Sequence, residues 1–521
     1  MAAITVCIMC VTFKKSKTKQ THKRSQPHTP GGIQLEKFVA ARGGKHSWGT
    51  PPFSIVAALI GYGIVLFAPP VLNDPDTYWH IAAGRWMLQH HAIPHADPFS
   101  YALNGAPWVA HEWLSEVLMA LAYRAAGWSG IHILFGLATA ATSGVLARYL
   151  ARWLSQPAAS VVFILGTACI SGSLLARPHL LALAALTLWT SGLLTARDRG
   201  MAPSVLLLPL MVIWANLHAS FVFGLGLVLP IAVDAVVEAK SGRGLIARRW
   251  GIFLGAAIGA SILTPNGWHG LLFPFHLMRM ATTSSIDEWE PTSFQTLQPL
   301  EGALVALLYV AFSRHVRLPI GRLIILLGLL HLALHHARHQ MLAGIVGAMV
   351  LAMPLGQAFA DAEREGTSRR SSPLWLFGAI ACVALLSAIR LTHPVERTDG
   401  PASPIAALNH VPIEIQREHV FNSYAFGGYL IFRGIKPFID GRADVYGDDF
   451  ISTYLAAMTP NRAVFEGLVD KDGIRWTILP ARSPAVAVIE ALPQWQRIYA
   501  DGIAVVDVRV ADPRHHEESA E

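Results

Sequence analysis

Charge is what this chain has least of: 14% of its 521 residues are Asp, Glu, Lys or Arg, against 53% hydrophobic residues. Soluble domains carry about 25% charged residues, so an ordinary soluble protein of this length is excluded. Cysteine is scarce too, with Cys7, Cys10, Cys169 and Cys382 making the whole complement. None falls beyond residue 391, which rules out a disulfide framework there, and the Cys7–Cys10 CxxC lacks the second pair or nearby His that a metal or redox site needs. No G-x-S-x-G, phosphate-binding P-loop or G-x-G-x-x-G ahead of a helix occurs, so hydrolase, nucleotide-driven pump and dinucleotide enzyme have no support. His111-Glu112-Trp113-Leu114-Ser115 opens like a zinc-protease HExxH but puts Ser115 where the second His belongs. Met1–Phe13 is apolar, yet its charges follow it, the wrong order for a secretory signal.

What the chain has instead is apolar runs. Uncharged stretches near the ~20 residues that span a bilayer fall at 53–71, 128–147, 158–175, 179–195, 203–215, 220–237, 250–264, 301–313, 321–334, 340–358 and 373–389, about eleven in all. The expected fold is an α-helical polytopic membrane protein with a C-terminal α/β extracytoplasmic domain. Three regions follow: a basic, disordered cytoplasmic tail over 1–52, a transmembrane domain over 53–391 whose first outer loop is 72–127, and a soluble domain over 392–521. Basic residues set the orientation. Lys14 to Arg24, Arg148 and Arg152, Arg197 and Arg199, Lys240 to Arg249, Arg314 to Arg322 and Arg364 to Arg370 all fall on one side when loops are counted alternately. The N-terminus is therefore expected in the cytoplasm and the C-terminus outside, and the net charge of +7 reflects membrane orientation, not nucleic-acid binding.

The same counting places the unusual polar residues outside. Asn73-Asp74-Pro75-Asp76 follows the first run directly. Pro75 biases Asp74 toward extended backbone, in which residues i and i+2 point the same way, so both carboxylates are expected to face one ligand. The helical spacing of Trp79, Ala82, Ala83 and Trp86 would also put Asp76 at a helix N-terminus, where an N-cap is the structural alternative. His80, Arg85, Asp97, His111 and Glu112 follow in the first outer loop, then Arg177-Pro178-His179, Asn216-Leu217-His218, Asp287-Glu288-Trp289-Glu290 and His335-His336-Ala337-Arg338-His339. Ionisable groups at membrane depth are costly without partners or water, so this collection points to one outward-facing polar cavity. His335 and His339 have the i,i+4 spacing of a metal pair or of two hydrogen-bonded histidines.

The C-terminal region opens with a Pro-rich linker, Pro394 to Pro404. Short strands are expected at Val420–Phe421, Pro437–Ile439, Trp476–Leu479 and Ile503–Val508, with helices at Phe450–Ala457 and Ala485–Ala491. Its Asn422-to-Tyr429 and Asp440-to-Tyr446 segments suggest a sugar or glycan contact, or a turn in which Asp440 and Asp444 pair with Arg442.

At the acidic pair and the helix Tyr78-Trp79-His80-Ile81-Ala82-Ala83-Gly84-Arg85-Trp86, the sequence resembles the GT-C superfamily of integral-membrane glycosyltransferases. That superfamily includes protein O-mannosyltransferases, lipid A aminoarabinose transferases, oligosaccharyltransferase catalytic subunits and bacterial RgtA/B/C/D-like proteins. The stretch from Asp97-Pro98-Phe99-Ser100-Tyr101 to Pro107-Trp108-Val109-Ala110-His111-Glu112-Trp113 is similar to bacterial membrane proteins of this kind. The resemblance implies a bacterial inner-membrane enzyme that moves a sugar from a polyprenyl-phosphate donor to an extracytoplasmic glycan, lipid or protein acceptor. Asp74 and Asp76 match the catalytic acidic pair, one carboxylate serving as general base or helping to hold a divalent cation. Asp97 or Glu112 matches a second acidic position less closely, and His80, Arg85 and His111 join the substrate-binding set. Arg177, His218 or Arg338 would neutralise the lipid phosphate. The absence of a second clear acidic pair leaves the cation unassigned. A transporter or lipid-handling protein is the alternative; it would place ionisable or helix-breaking positions near mid-bilayer in paired halves.

Overall fold

The computed structural model describes residues 51–280, 290–359 and 372–510. The tail with Cys7 and Cys10, the segment Asp287-Glu288-Trp289 and the basic cluster Arg364 to Arg370 lie outside the described residues.

Each apolar stretch is a helix: α1 (Phe53–Phe67), then, after the short outer helix α2 (Asp76–His90), α3 (Trp113–Leu150), α4 (Gln156–Ala168), α5 (Pro178–Asp198), α6 (Leu207–Leu217), α7 (Phe221–Glu238) and α8 (Arg243–Ser261). A further short helix, α9 (Gly267–Leu277), leads to α10 (Pro299–Ser313), α11 (Ile320–His335), α12 (Gln340–Ala358) and α13 (Pro373–Thr392). Among the described residues five helical segments are long and apolar enough to cross a membrane, and five more are shorter apolar helices. α3 runs past its expected start because it joins two helices across a break at Ala126 and Gly127, the latter at φ 55°. That break falls where the outer loop was expected to end, and it divides Trp113 to Ala126 from the longer helix that follows.

α12 is enclosed along most of its length, whereas α13 buries none of its residues. Trp189, Trp214 and Trp250, from α5, α6 and α8, are fully buried in the bundle. One end of the bundle is tied by buried charge. Arg197 donates to Asp234 (Nε to Oδ2, 3.0 Å) and pairs with Glu238 (2.7 Å), while Arg322 binds Asp198 and the Val350 carbonyl. Charges buried at this depth persist only when paired, and here they join α5, α7, α11 and α12.

The C-terminal region forms α14 (Ile405–His410), α15 (Ile413–Gln416), β1 (Val420–Asn422), α16 (Tyr424–Phe432), α17 (Ala443–Ala457), α18 (Arg462–Asp472), β2 (Trp476–Pro480), α19 (Pro484–Glu490), β3 (Trp495–Ala500) and β4 (Ala504–Arg509). The sheet order is β1-β2-β4-β3, with β1 parallel to β2 and the other pairs antiparallel. Pro437–Ile439 is not a strand. Asn422 bridges it to β1 instead, its side chain accepting from Phe438 N (2.8 Å) and donating to Ile439 O (2.8 Å). This region does not bury its apolar residues alone. Trp79, Ala83 and Trp108 of the first outer loop share one core with Phe421, Phe438 and Tyr446, and Tyr78 sits edge-on to Tyr429 at 5.3 Å. The first outer loop and the C-terminal region are one packed body, which fixes the walls of the site.

Candidate active site

Asp74-Pro75-Asp76 is a tight turn, not an extended segment. Pro75 sits at φ −63°, ψ −31°, the helical region, and Asp74 Oδ1 accepts the Asp76 N–H at 2.7 Å. The cap role expected of Asp76 thus falls to Asp74, a side chain to backbone bond two residues on. The two carboxylates converge because a third residue draws them together. Arg177 pairs through Nε with Asp74 Oδ2 and through Nη2 with Asp76 Oδ2 (3.1 Å). Pro178 at the first position of α5 holds Arg177 in extended backbone, as a residue before proline must be. Ala176 N donates to Val71 O (2.8 Å) and Thr77 Oγ1 to Ala176 O (3.0 Å), clamping the two segments.

One helical turn beyond Asp76, His80 directs Nδ1 at Glu116 Oε1 (3.3 Å) and Nε2 at Glu112 Oε2 (3.8 Å). Glu112 is the centre of this cluster: His218 Nε2 lies 3.3 Å and His111 Nε2 3.5 Å from its Oε1. His218 is held after α6 by two bonds from the start of α3, Trp113 Nε1 to Asn216 Oδ1 (2.6 Å) and Ser115 Oγ to Leu217 O (2.7 Å). Its Nδ1 accepts from Ser220 N (3.0 Å), so a proton on Nε2 points at Glu112. Burial drives the His218 pKa down to about 3, so the ring is neutral. His111 is the opposite case. Burial works against its charge, but Glu112 beside it outweighs burial and lifts its pKa to about 9, with Nδ1 donating to Val109 O (3.2 Å). Burial likewise opposes the Glu112 carboxylate, yet His111, His218 and His80 hold its pKa below the usual range.

These groups line one cavity of about 580 Å³. Asp74, Asp76, His80, His111, Glu112, Arg177, His218 and Arg338 all face it. Leu183, Leu186, Phe223, Leu277, Met341 and Leu342 form an apolar wall, drawn from α5, α7, α9 and α12. Tyr424, Asp444 and Tyr454 close the cavity from the C-terminal region, with burial raising the Asp444 pKa to about 6.

Two expected residues lie elsewhere. Arg85 donates to Phe432 O (3.0 Å) and covers the Phe432 ring at 4.4 Å, fastening α2 to α16. Asp97 is buried, accepting from Ser100 and from Arg442 Nη1 (2.7 Å). Arg442 also forms a two-point pair with Asp440 (2.8 and 2.7 Å), whose Oδ2 accepts from Tyr446 Oη at 2.6 Å. Arg442 is buried by these contacts although it borders the cavity; of the expected turn the Asp440 pair is present, while Asp444 faces the cavity. His335 stands 3.0 Å from His336. His179, Asp444 and Tyr424, singled out in the sequence without an assigned role in this cavity, border it; Glu116 was missed, and its i,i+4 spacing from Glu112 was the available signal.

A cation held by Asp74 and Asp76 does not fit this geometry, because the Arg177 guanidinium already supplies the positive charge between them.

No protein-family model matches the sequence. No curated protein matches it. Solved structures do. The Archaeoglobus fulgidus oligosaccharyltransferase tethered with an acceptor peptide superposes with a TM-score of 0.52 at 12% identity, covering 82% of this chain and 68% of that one. Its apo form gives 0.50 at 12% identity, over 82% and 69%. ArnT from Cupriavidus metallidurans in the apo state gives 0.50 at 14% identity, over 88% of this chain and 97% of that one. Likeness at such low identity shows the fold alone: this chain shares the architecture of these solved structures.

Proposed function

We propose that the chain is a membrane glycosyltransferase that takes a sugar from a polyprenyl-phosphate donor and passes it to an extracytoplasmic acceptor, whether glycan, lipid or protein. The carrying observation is the cavity itself, one wall apolar and drawn from the bundle, the other charged and built around Asp74, Asp76 and Arg177. Such a divided pocket suits a ligand with a lipid tail and a phosphorylated sugar head. Asp76 is the general base in this reading, since a positioned, ionised carboxylate removes the acceptor proton as the new bond forms. Asp74, spent on the Asp76 amide and on Arg177, positions it. Arg338 at the head of α12 takes the leaving phosphate, for which a planar guanidinium is suited.

The transporter alternative asks for ionisable groups at mid-bilayer. In α5 the polar groups stand at the two ends, Arg177 and His179 at one and Arg197 and Asp198 at the other, which favours the transferase.

The test is release of polyprenyl phosphate from a sugar-charged donor by purified full-length protein in lipid nanodiscs, followed by mass spectrometry. Asp76→Asn should lower the rate by about 10²–10⁴-fold. Asp74→Asn keeps an oxygen for the cap and should lose less. A thermally intact Asp76→Asn protein working at the parent rate removes Asp76 from the chemistry.

A further inference from the structure

We infer that His80, Glu112 and Glu116 form a binding site for one zinc-type divalent cation in the α2–α3 wall of the cavity, separate from the acidic pair. This goes beyond the glycosyltransferase reading and does not depend on it.

One ligand atom from each of the three residues lies within 4.8 Å of the others. All three come from rigid elements: His80 from the second turn of α2, Glu112 and Glu116 one turn apart at the start of α3. Gly84 allows the two helices to touch, since a Cβ there would overlap the Glu116 carbonyl. His80 and Glu116 are 3% and 1% exposed and Glu112 is partly buried, so charge on both carboxyls is costly without a counter-charge. Glu116 has His80 as its direct neighbour, and its buried Oε2 has no hydrogen-bond partner.

The spacing also suits a cation better than direct hydrogen bonds. Charge-assisted N–H···O contacts run about 2.7–2.9 Å, whereas His80 Nδ1 stands 3.3 Å from Glu116 Oε1 and its other nitrogen, Nε2, stands 3.8 Å from Glu112 Oε2; one ion would take one of these two nitrogens. Ligands bonded at about 2.1 Å around a tetrahedral ion stand roughly 3.4 Å apart. One imidazole with two carboxylates is a donor set that zinc accepts. Surrounding contacts fix the ligands, as metal sites require: His218 and His111 hold the far oxygen of Glu112, and the Trp79 ring lies 3.6 Å from that of His80. His80 and Glu112 face the cavity and Glu116 does not. A bound ion would therefore have its fourth position open to the cavity, the arrangement of reactive zinc sites.

The experiment is zinc binding by the full-length protein in detergent, stripped with chelator and titrated at buffered free zinc, with content measured by plasma mass spectrometry. The parent should take up one tight equivalent, and cobalt in its place should give the visible bands of a four-coordinate ion. Glu116→Gln and His80→Asn should each weaken that equivalent by more than about tenfold, the scale on which even supporting residues act. Asp76→Asn and His335→Ala should leave it unchanged. No tight equivalent in the parent, or equal affinity in folded Glu116→Gln and His80→Asn proteins, overturns the site. Should both variants fail to fold, the cobalt spectrum of the parent decides, six-coordinate bands counting against it.

Discussion

At the scale of single residues, the site is a set of opposed titrations around Glu112, and they have a readable sign. His111 has a folded pKa of about 9, above the ordinary histidine value. A raised folded pKa means that the folded state holds the proton more tightly, so the stability this gives is complete below about pH 6.5 and is lost as pH rises through 9. His111→Gln should therefore melt below the parent at pH 6, with the gap closing by about pH 10, as thermal unfolding in detergent across that range would measure. A gap independent of pH would mean that His111 acts by packing and not by charge. Asp444, raised to about 6 by burial, follows the same rule in a lower window. Its stabilising proton is lost between about pH 4 and 6, so above that range Asp444→Asn should gain on the parent. That these histidines and acids gather at one end of the bundle was legible from charge counting alone. Their roles were not, because Asp97 and Arg85 differ from Glu112 and Arg338 only in what the fold brings against them. Arg442 reaches Asp97 across more than three hundred residues of chain.

Among the elements, the contact of α2 with α3 decides whether the cluster exists. A Cβ at Gly84 would lie 2.8 Å from Ala120 Cβ as well as overlapping the Glu116 backbone, so the helices must part to admit it. Gly84→Ala should cost about 1–3 kcal/mol, the usual scale of overpacking, and lower the melting temperature accordingly. Gly251→Ala on α8 meets nothing within 4 Å; there alanine is the better helix former, and no loss is expected. Equal losses at both positions would assign the effect to helix propensity. The bundle helices could be read from the sequence because each needs an apolar run of its own. The break at Ala126–Gly127 coincides with the expected end of the outer loop, although nothing in the composition showed that residues 113–126 would be helical. Strands β1, β2 and β4 were legible as apolar β-branched and aromatic runs. β3, Trp495–Ala500, was missed because its outward positions are exposed and polar and its pairing with β4 is bulged. Pro437–Ile439 was mistaken for a strand because a buried apolar triplet looks the same whether a ladder or the side chain of Asn422 satisfies its backbone.

Across the whole molecule, the polar sites lie at opposite ends of helices of membrane-spanning length. α5 has 21 residues, about 32 Å at 1.5 Å per residue, close to the roughly 30 Å of bilayer hydrocarbon. Arg177 at its start faces the cavity, and Arg197 near its end joins the buried ion network. The end of α6, the starts of α7 and α12 and the turn after α1 all contribute to the cavity. The network is supplied by the ends of α5 and α7 and the start of α11. The basic clusters Arg148–Arg152, Arg197–Arg199, Lys240–Arg249 and Arg314–Arg322 all accompany the network end. Positive charge is retained on the cytoplasmic side, so the cavity and the C-terminal region that closes it should face outward. This orientation is checked by labelling single introduced cysteines with a membrane-impermeant maleimide in intact cells. Pro401→Cys, exposed ahead of α14, should react at once, and Ser204→Cys, exposed between α5 and α6, only after permeabilisation. Reaction of Ser204→Cys alone in intact cells would turn the cavity toward the cytoplasm, where an extracytoplasmic acceptor could not meet Asp76, and the assignment of that carboxylate would fall with it.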